Sequence, residues 1–511
     1  MMLFAFVMLL AACGGDPLAK TAEPPNGIPL ATEEDEETVE DVESTESEPS
    51  EDSEEEIVPP PPTPQEVNAA LGRGINLGNA LDGPREETWG PGLEAEYFSL
   101  IREAGFDHVR LPVSWAGYAA TEAPFLIPDD DPTIQTAGFN SIWERVDWAI
   151  DQAEANDLMI IVNLHHYDEL HQNPDAEIPR FLAMWEQISQ RLAGAGDHVV
   201  LELLNEPSAV FNAEPERWND LFAQTLEIVR ADHPTRTVIV GPVDFNAVTA
   251  LDSLVLPDDP HLLGTVHVYA PFEFTHQGAI FADPIPPVGA TWNADNVGLA
   301  EVANNSSWDT TAASGPNGLS VRYDAQWAGF AVDLDDTFDP TTLTFTSSGQ
   351  ASVRAGCRDD DGLIEVVEMG LSEATATYEV DLSECLEQST SIFLMNTEDP
   401  RTIVLSELEL CTTDGCHNLL SSQRDRLVDH FAIAAEWSEQ TGIPLNLGEF
   451  GAFGADGQSP IADRAAWTRT VRDIAEGHDI STSYWEFYSG FGAFDVESES
   501  WVPELRNALV G

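Results

Sequence analysis

The sequence predicts an α/β fold, a (β/α)8 TIM barrel with a β-sandwich domain inserted after its sixth strand, and three observations support this prediction. Eight short β-rich runs alternate with amphipathic stretches from Gly72 onward. One of these runs ends at a glutamate, Glu449, and another ends two residues before one, Glu206. One interval, 293–417, is too long for a loop but carries alternating runs of its own. Eight strand–helix units are typical of a barrel with its chemistry on the loops after the strands.

The predicted barrel strands are short runs rich in Val, Ile and Leu. They lie near 73–78, 106–113, 158–165, 198–204, 236–241, 261–269, 444–449 and 480–487. Stretches 140–156 and 422–441 each place their apolar residues on one helical stripe. This alternation predicts parallel strands joined by helices, in a catalytic domain that spans 67–292 and 418–511.

The insertion, 293–417, has the alternation of a β-sandwich. Its β-rich runs are 318–323, 342–346, 364–367, 376–380, 391–394 and 403–405. Because it follows the sixth strand, it must emerge on the catalytic face, beside the cleft. The insertion is either a carbohydrate-binding module, with Trp308 and Trp327 as sugar contacts, or a structural wall whose tryptophans are core.

Four of the five cysteines fall in the insertion and none in the predicted barrel. This distribution fits disulfides in an exported protein. Three pairings are possible, and we favour Cys357 with Cys385 and Cys411 with Cys416. A zinc site is the competing interpretation, but the insertion has only one closely spaced cysteine pair and no matching second pair.

The N-terminal segment 1–13 resembles a bacterial lipoprotein signal that ends at a lipidated Cys13. It departs from that pattern because no Lys or Arg precedes its apolar run. Residues 14–66 are rich in Glu, Ser, Thr and Pro, which predicts a disordered acidic linker. We therefore expect an exported protein, lipid-anchored at the bacterial outer membrane or cell surface, or otherwise extracellular.

The formal net charge of −70 limits the partners. Nucleic acids and anionic lipid surfaces need clusters of Lys and Arg, and Lys20 is the only lysine in the chain. We expect a neutral polysaccharide substrate, no nucleic acid, membrane contact only through the lipid anchor, and a monomer. Such acidity also suggests a high-salt habitat, where screening relieves self-repulsion.

Paired carboxyl groups at barrel strand ends are what a glycoside hydrolase needs. In a retaining enzyme one glutamic acid protonates the leaving oxygen while a second attacks the anomeric carbon, and Glu206 and Glu449 could fill these roles. Asn205 can hydrogen-bond a sugar hydroxyl. Other strand ends add Arg110, His165, His166, His267 and Tyr269, and an arginine beside the nucleophile would keep it ionised. The spacing of the adjacent histidines does not support a metal site.

Seven short motifs follow one another along residues 68–511, outside the insertion. They are Gly74-Ile75-Asn76-Leu77-Gly78-Asn79-Ala80-Leu81, the Arg110 segment, His165-His166, Leu204-Asn205-Glu206-Pro207, His267-Val268-Tyr269 with Phe274-Thr275-His276-Gln277-Gly278-Ala279, Gly448-Glu449-Phe450-Gly451 and Tyr484-Trp485-Glu486-Phe487. Together they resemble glycoside hydrolase family 5, the cellulase family.

The resemblance implies a retaining mechanism, with Glu206 as acid/base, Glu449 as nucleophile and no cofactor. It also implies a sugar-stacking platform at Trp485. The substrate-binding residues that it implies are Arg110, His165, His166, Asn205, His267 and Tyr269. It does not settle which of the adjacent histidines, His165 or His166, faces the sugar. Further aromatic residues are candidates for stacking on sugar rings: Trp89, Trp115, Phe274 and Trp292.

The resemblance leaves the substrate open, because one barrel scaffold serves many specificities through its loops. The first expectation is an endo-β-1,4-glucanase. The alternatives within the family are a β-mannanase, a xyloglucanase and a mixed-linkage glucanase. Outside it stand a non-catalytic surface glycan-binding lipoprotein and a metal-dependent barrel hydrolase.

Overall fold

A computed structural model of the chain describes residues 60–131, 138–299, 306–333, 340–359, 362–383, 385, 390–412, 415–454 and 457–511. The predicted signal with Cys13, and the linker up to residue 59, lie outside the described residues. The predicted linker extends to 66, but helix α1 (Pro64–Leu71) already begins inside it. Thr63 caps this helix together with Glu66, and Pro64 suits the first helical position.

Eight parallel strands close into a barrel, so the predicted (β/α)8 fold is confirmed. In barrel order they are β1 (Arg73–Asn76), β2 (His108–Val113), β3 (Met159–Leu164), β4 (Val199–Glu202), β5 (Val238–Val240), β6 (Leu262–Val268), β19 (Leu445–Phe450) and β20 (Ser481–Tyr484). β20 pairs with β1 and closes the barrel.

Helices surround this sheet and bury one apolar face against it. They are α2 (Ala95–Ala104), α3 (Trp115–Tyr118), α4 (Ile142–Ala155), α5 (Asp168–Gln172), α6 (Pro174–Leu192), α7 (Val210–Ala213), α8 (Pro215–Asp232), α10 (Phe272–Thr275), α11 (Gln423–Thr441), α12 (Ile461–Glu476) and α13 (Pro503–Val510). A 3-10 helix spans Val248–Ser253. The short segment α9 (Val243–Asn246) has left-handed rather than helical backbone at Asp244 and Phe245.

Helix α1 closes the amino-terminal end of the barrel. Its Val67 and Leu71 pack in one buried cluster with side chains from four neighbouring strands, which are Ile161, Val200, Ile239 and Leu263. Burying these apolar side chains excludes water from the amino-terminal end of the barrel. The polar side chains of a binding site are therefore expected at the opposite, carboxyl end of the strands.

The insertion leaves and rejoins the barrel through two paired strands, β7 (Val297–Leu299) and β18 (Leu420–Ser422). Beyond this neck lie two antiparallel sheets. One contains β10 (Gly329–Asp333), β12 (Ala351–Asp359), β13 (Gly362–Leu371) and β15 (Ser391–Asn396). The other contains β8 (Thr310–Ala313), β9 (Leu319–Tyr323), β11 (Pro340–Ser348), β14 (Ala376–Asp381), β16 (Arg401–Thr412) and β17 (Cys416–Asn418).

One buried apolar cluster contains side chains from both sheets, including Val353 and Leu394 from the first and Leu343 and Leu405 from the second. The two sheets therefore share a core, as in a sandwich. The six predicted β-runs correspond to β9, β11, β13, β14, β15 and β16. The sequence interpretation missed β8, β10, β12 and β17.

Two disulfides join Cys357 to Cys385 and Cys411 to Cys416. The first connects β12 to the segment after β14, and the second closes the turn between β16 and β17. A last hairpin, β21 (Phe494–Asp495) with β22 (Ser500–Trp501), precedes α13. Among the described residues, no helix is long and apolar enough to cross a bilayer.

Candidate active site

A cavity of about 750 Å³ opens at the carboxyl ends of the barrel strands. Its lining includes several of the predicted site residues, namely His165, His166, Glu206, Tyr269, Glu449 and Trp485. A larger groove of about 920 Å³ lies at the amino ends of the strands, where Gln65, Arg73 and Glu476 contribute to its wall. That groove contains none of the predicted residues, and barrel chemistry belongs at the opposite face.

Arg110 on β2 is fully buried and connects the site. Its Nε and Nη2 donate to the two carboxylate oxygens of Glu202, each at 2.7 Å. Its Nη1 donates to Glu449 at 2.8 Å and to Asn76 at 2.9 Å, and Nη2 also donates to Asn205 at 2.7 Å. One guanidinium thus orients side chains from three other strand ends, using the planar fork that distinguishes Arg from Lys.

Glu449 lies on β19 with both carboxylate oxygens held. Oε1 accepts from Arg110, and Oε2 accepts from the Tyr269 hydroxyl at 2.9 Å. Burial raises the pKa of Glu449 above its usual value, and the nearby His267 and Arg110 oppose that effect. The carboxylate is therefore oriented by two donors and faces the cavity.

Glu206 follows β4 with a left-handed backbone, at φ 50°. Its side chain is 26% exposed, and its Oε1 lies 2.7 Å from His267 Nδ1. Burial raises the pKa of Glu206 to about 7, although the Arg110 charge opposes this shift. The carboxyl group can therefore hold a proton in mildly acidic solution, unlike an ordinary glutamate.

The two glutamates approach each other across the cavity. One carboxylate oxygen of each, together with a ring nitrogen of His267, lies within 4.8 Å of the other two atoms. Carboxyl groups about 5 Å apart are typical of retaining glycosidases, whereas inverting enzymes leave space for a water between them. The site thus has the dimensions for direct attack by one carboxylate while the other transfers a proton.

The adjacent histidines occupy different environments. His165 is buried and stacks on Trp485, with ring centroids 5.7 Å apart and ring planes 4° from parallel. Burial holds the pKa of His165 well below its usual value, so the ring is neutral. The His166 side chain is 44% exposed and meets Trp89 edge-on at 5.5 Å. His165 therefore supports Trp485, while His166 faces the open cavity.

Comparison with known proteins agrees with this geometry. Residues 71–314 match the family model described as cellulase, glycosyl hydrolase family 5. This stretch, just under half of the chain, is similar to glycosyl hydrolase family 5 domains. Over 214 residues the chain is 34% identical to endoglucanase H of Acetivibrio thermocellus, and over 238 residues 25% identical to endoglucanase A of Ruminococcus albus. These matches span 42% and 41% of this chain but 22% and 62% of those relatives.

Solved structures of endoglucanases are similar to this chain over most of its length. A hyperthermophilic endo-β-1,4-glucanase crystallised with substrate is 26% identical, covers 88% of this chain and 99% of its own length, and gives a TM-score of 0.59. A Thermotoga maritima Cel5A structure with cellobiose gives a TM-score of 0.58 at the same identity, with 88% of this chain and 100% of its own length covered. The Cel5A enzyme was also crystallised with mannotriose.

Only one of the four aromatic candidates for sugar stacking lines the cavity at the carboxyl ends of the strands. Trp89 is 47% exposed and forms part of the cavity wall. The prediction is wrong for Trp115, Phe274 and Trp292, which are buried in the core between barrel and helices. Trp115 packs against Trp143, with ring centroids 5.0 Å apart. These indole and phenyl groups belong to the apolar core and do not line the cavity.

The two tryptophans of the insertion also differ from each other. Trp308 lies over Gly329, where an added Cβ would fall 2.1 Å from its ring, and packs near Phe393. Trp327 is 45% exposed, with the Arg354 guanidinium 5.1 Å from its ring centre. Trp308 is therefore mainly structural, and Trp327 is the more exposed of the two.

The sequence interpretation missed several polar residues of the site. Glu202 on β4 and Asn76 on β1 are buried partners of Arg110. The sequence offered one signal for Glu202, which is a charged residue within the apolar run 199–204. A carboxylate buried in such a strand needs a charged or hydrogen-bonding partner. Asp82 and Glu486 also line the cavity, and burial raises the pKa of Asp82 to about 6.

Two groups of side chains in the cavity have the atoms of a metal site. Asp82 approaches the histidine pair, and His267 approaches the two glutamates, with donor atoms within 4.8 Å in each group. In the second group Glu449 already accepts from Arg110 and Tyr269. A cation there would have to compete with the buried guanidinium, so this group fits proton and sugar chemistry better than ion binding.

Proposed function

We propose that this protein is a retaining endo-β-1,4-glucanase, with Glu206 as acid/base and Glu449 as nucleophile. The approach of their carboxylate oxygens to within 4.8 Å is the observation that carries the proposal. Their different environments support the assignment of roles. Glu206 has a pKa raised to about 7, whereas Glu449 receives hydrogen bonds on both oxygens from Arg110 and Tyr269.

The first step is glycosyl transfer to the protein. Glu206 gives its proton to the oxygen between two sugar units, and the bond from that oxygen to the anomeric carbon breaks. Glu449 forms a covalent bond to the same carbon as the leaving chain departs with the proton. Arg110 and Tyr269 orient the attacking carboxylate so that its lone pair meets the carbon without rearrangement.

The second step regenerates the enzyme. Glu206, now ionised, removes a proton from a water molecule, whose oxygen attacks the anomeric carbon and displaces Glu449. The sugar leaves with its original anomeric configuration, and Glu206 again holds a proton. Asn205, held by Arg110, is placed to bind a hydroxyl of the sugar undergoing attack, and Trp485 offers an apolar face to its ring.

The relatives support a β-1,4-glucan as first substrate, since the two compared above are endoglucanases. A mannan is the second candidate, because the similar Cel5A enzyme was crystallised with mannotriose. Xyloglucan and mixed-linkage glucan complete the set to be tested. A non-catalytic glycan-binding protein is disfavoured because Arg110, Tyr269 and His267 all engage the two glutamates, as catalysis requires.

Release of reducing ends from carboxymethylcellulose, mixed-linkage glucan, xyloglucan and glucomannan tests the proposal. The wild type should cleave at least one of them, and Glu449→Gln should lose about two or more orders of magnitude in rate. Glu227→Gln on the exposed face of α8 makes the same chemical change away from the site and should retain activity. Binding without cleavage by the wild type would instead favour the glycan-binding alternative.

We extend the proposal to the location of the enzyme. Lipidation of Cys13 would tether the domain at the outer membrane or cell surface, and the acidic segment 14–59 would hold it away from that surface. Detergent-phase partitioning of the native chain, lost in Cys13→Ser, is the expected result. Equal partitioning of the two proteins would contradict it.

A further inference from the structure

The loop after β5 contains three successive residues with left-handed backbone: Asp244 at φ 58°, Phe245 at φ 61° and Asn246 at φ 58°. Each non-glycine residue in this region costs free energy, and Phe is particularly unsuited to it. Such a conformation persists only when surrounding contacts impose it, and it is concentrated at functional sites.

Asn246 is the residue that the turn places inside the protein. Its side chain is fully buried, although Phe245 immediately before it is 56% exposed. It folds back over Gly241 at the end of β5, where an added Cβ would fall 2.1 Å from Asn246 Oδ1. The next residue, Ala247, forms a bridge with His267 on β6. Glycine, turn and bridge together hold the amide in one place.

The Asn246 amide reaches the histidine beside the acid/base. Its Nδ2 lies 3.2 Å from His267 Nε2, and the other ring nitrogen, Nδ1, lies 2.7 Å from Glu206 Oε1. Burial lowers the pKa of His267 to about 4, so the ring is neutral under ordinary conditions. A neutral imidazole carries one proton, and the hydrogen bond at one nitrogen decides which nitrogen holds it.

We propose that Asn246 is a positioning residue that donates to His267 Nε2 and so keeps the ring proton on Nδ1, from where His267 donates to Glu206 Oε1. The proposal deepens the proposed function, on which it rests. Because Oε1 already accepts a hydrogen bond, the proton that Glu206 holds must be on Oε2. That oxygen is the one left free to serve the leaving group.

Loss of the amide would allow the opposite arrangement. His267 would take its proton on Nε2, and Glu206 would donate from Oε1 to the bare Nδ1. The acid proton would then be held by the histidine instead of being given to the substrate. Glu206 would lose a donor that favours its ionised form, so its pKa would rise and its action as a base would weaken.

Other ionisable groups also act on Glu206 and His267, and a variant that tests the proposal must leave those groups unchanged. Those that act on Glu206 or His267 from the neighbouring strands and loops are Arg110, His165, Glu202, Tyr269 and Glu449. None of them is altered by a change at residue 246. A shift in the pH profile of such a variant therefore reports on the histidine and the acid/base.

The variant Asn246→Gly removes the amide and keeps a residue suited to left-handed backbone. We expect the alkaline limb of its kcat/KM profile to move up by about half a pH unit or more, with kcat lowered about tenfold and KM changed less than about twofold. Asp244→Gly is the matched control, because it also places a glycine at a left-handed residue of this turn, and the Asp244 side chain contacts Asn212 outside the buried contact with His267. Its profile should superimpose on that of the wild type.

The tautomer can also be measured directly in the wild type, without activity. In a protein with 15N-labelled histidine, the ring signals lost in His267→Gln belong to His267, and at pH 6 to 8 they should show a protonated Nδ1 and an unprotonated Nε2. A proton on Nε2 would overturn the proposal, as would equal pH profiles for Asn246→Gly and Asp244→Gly. An inactive wild type with the expected tautomer would overturn the proposed function alone.

Discussion

The pKa of Glu206 makes the acid/base role measurable, because burial raises it to about 7. A general acid must hold its proton, so the competent form of the free enzyme is lost as the pH rises through 7. With this pKa, the protonated fraction is about nine-tenths at pH 6 and about one-tenth at pH 8. We therefore expect kcat/KM on a polysaccharide to fall about tenfold between these two pH values.

The assay should compare substrates whose leaving groups differ in how much protonation they require, and it should do so over a range of pH. Initial rates on soluble β-glucan report a poor leaving group, whereas a 2,4-dinitrophenyl cellobioside has a leaving group that departs with little protonation. The alkaline limb should be strong for the first substrate and weak for the second. Ionic strength must be constant, because a chain of net charge −70 responds to screening.

The variant Glu206→Gln provides the control. It should lower kcat/KM on the polysaccharide by about two to four orders of magnitude and affect the activated glycoside less. The kcat/KM of this variant should not fall as the pH rises through 7. The reasoning is refuted if both substrates show the same limb in the wild type, or if the limb persists in the variant.

Three further predictions concern residues around the site and the solvent. Glu202→Gln breaks a buried ion pair, so it should cost about 3–5 kcal/mol in urea unfolding. It should also move the alkaline limb to lower pH, since the Glu202 charge raises the pKa of Glu206, and an unmoved limb would contradict this. Trp89→Ala should raise KM with a stability change below about 0.5 kcal/mol. Trp115→Ala should instead cost about 3–5 kcal/mol of stability, and similar effects of the two would contradict the assignment. Activity should be retained or raised in molar salt, and steady loss of rate with added salt would exclude the high-salt habitat.

The barrel was predictable from sequence because its strands are apolar runs separated by amphipathic helices. Parallel barrel strands all end at one face, so the residues after them had to be neighbours. Arg110, Glu206 and Glu449 were predictable as site residues for this reason. The same local reasoning overlooked α1, whose first turn follows a proline-rich acidic stretch, and β12, whose buried positions hold mainly small residues, Ala351, Ala355 and Cys357.

Local sequence patterns did not predict which side chains these site residues contact. Glu202 matters because Arg110, 92 residues earlier, presents its guanidinium to it. Trp89 and Trp115 are the same amino acid after neighbouring strands, yet one lines the cavity and the other is core.

Local sequence determined the strands, their order and the residues at their ends, because periodicity records which side chains a strand or helix must bury. Only the tertiary structure decided which of those side chains meet, how far apart the two carboxylates lie and which way the buried amide of Asn246 points. These features depend on the closure of the barrel and the path of its loops, which bring together atoms that are remote in sequence.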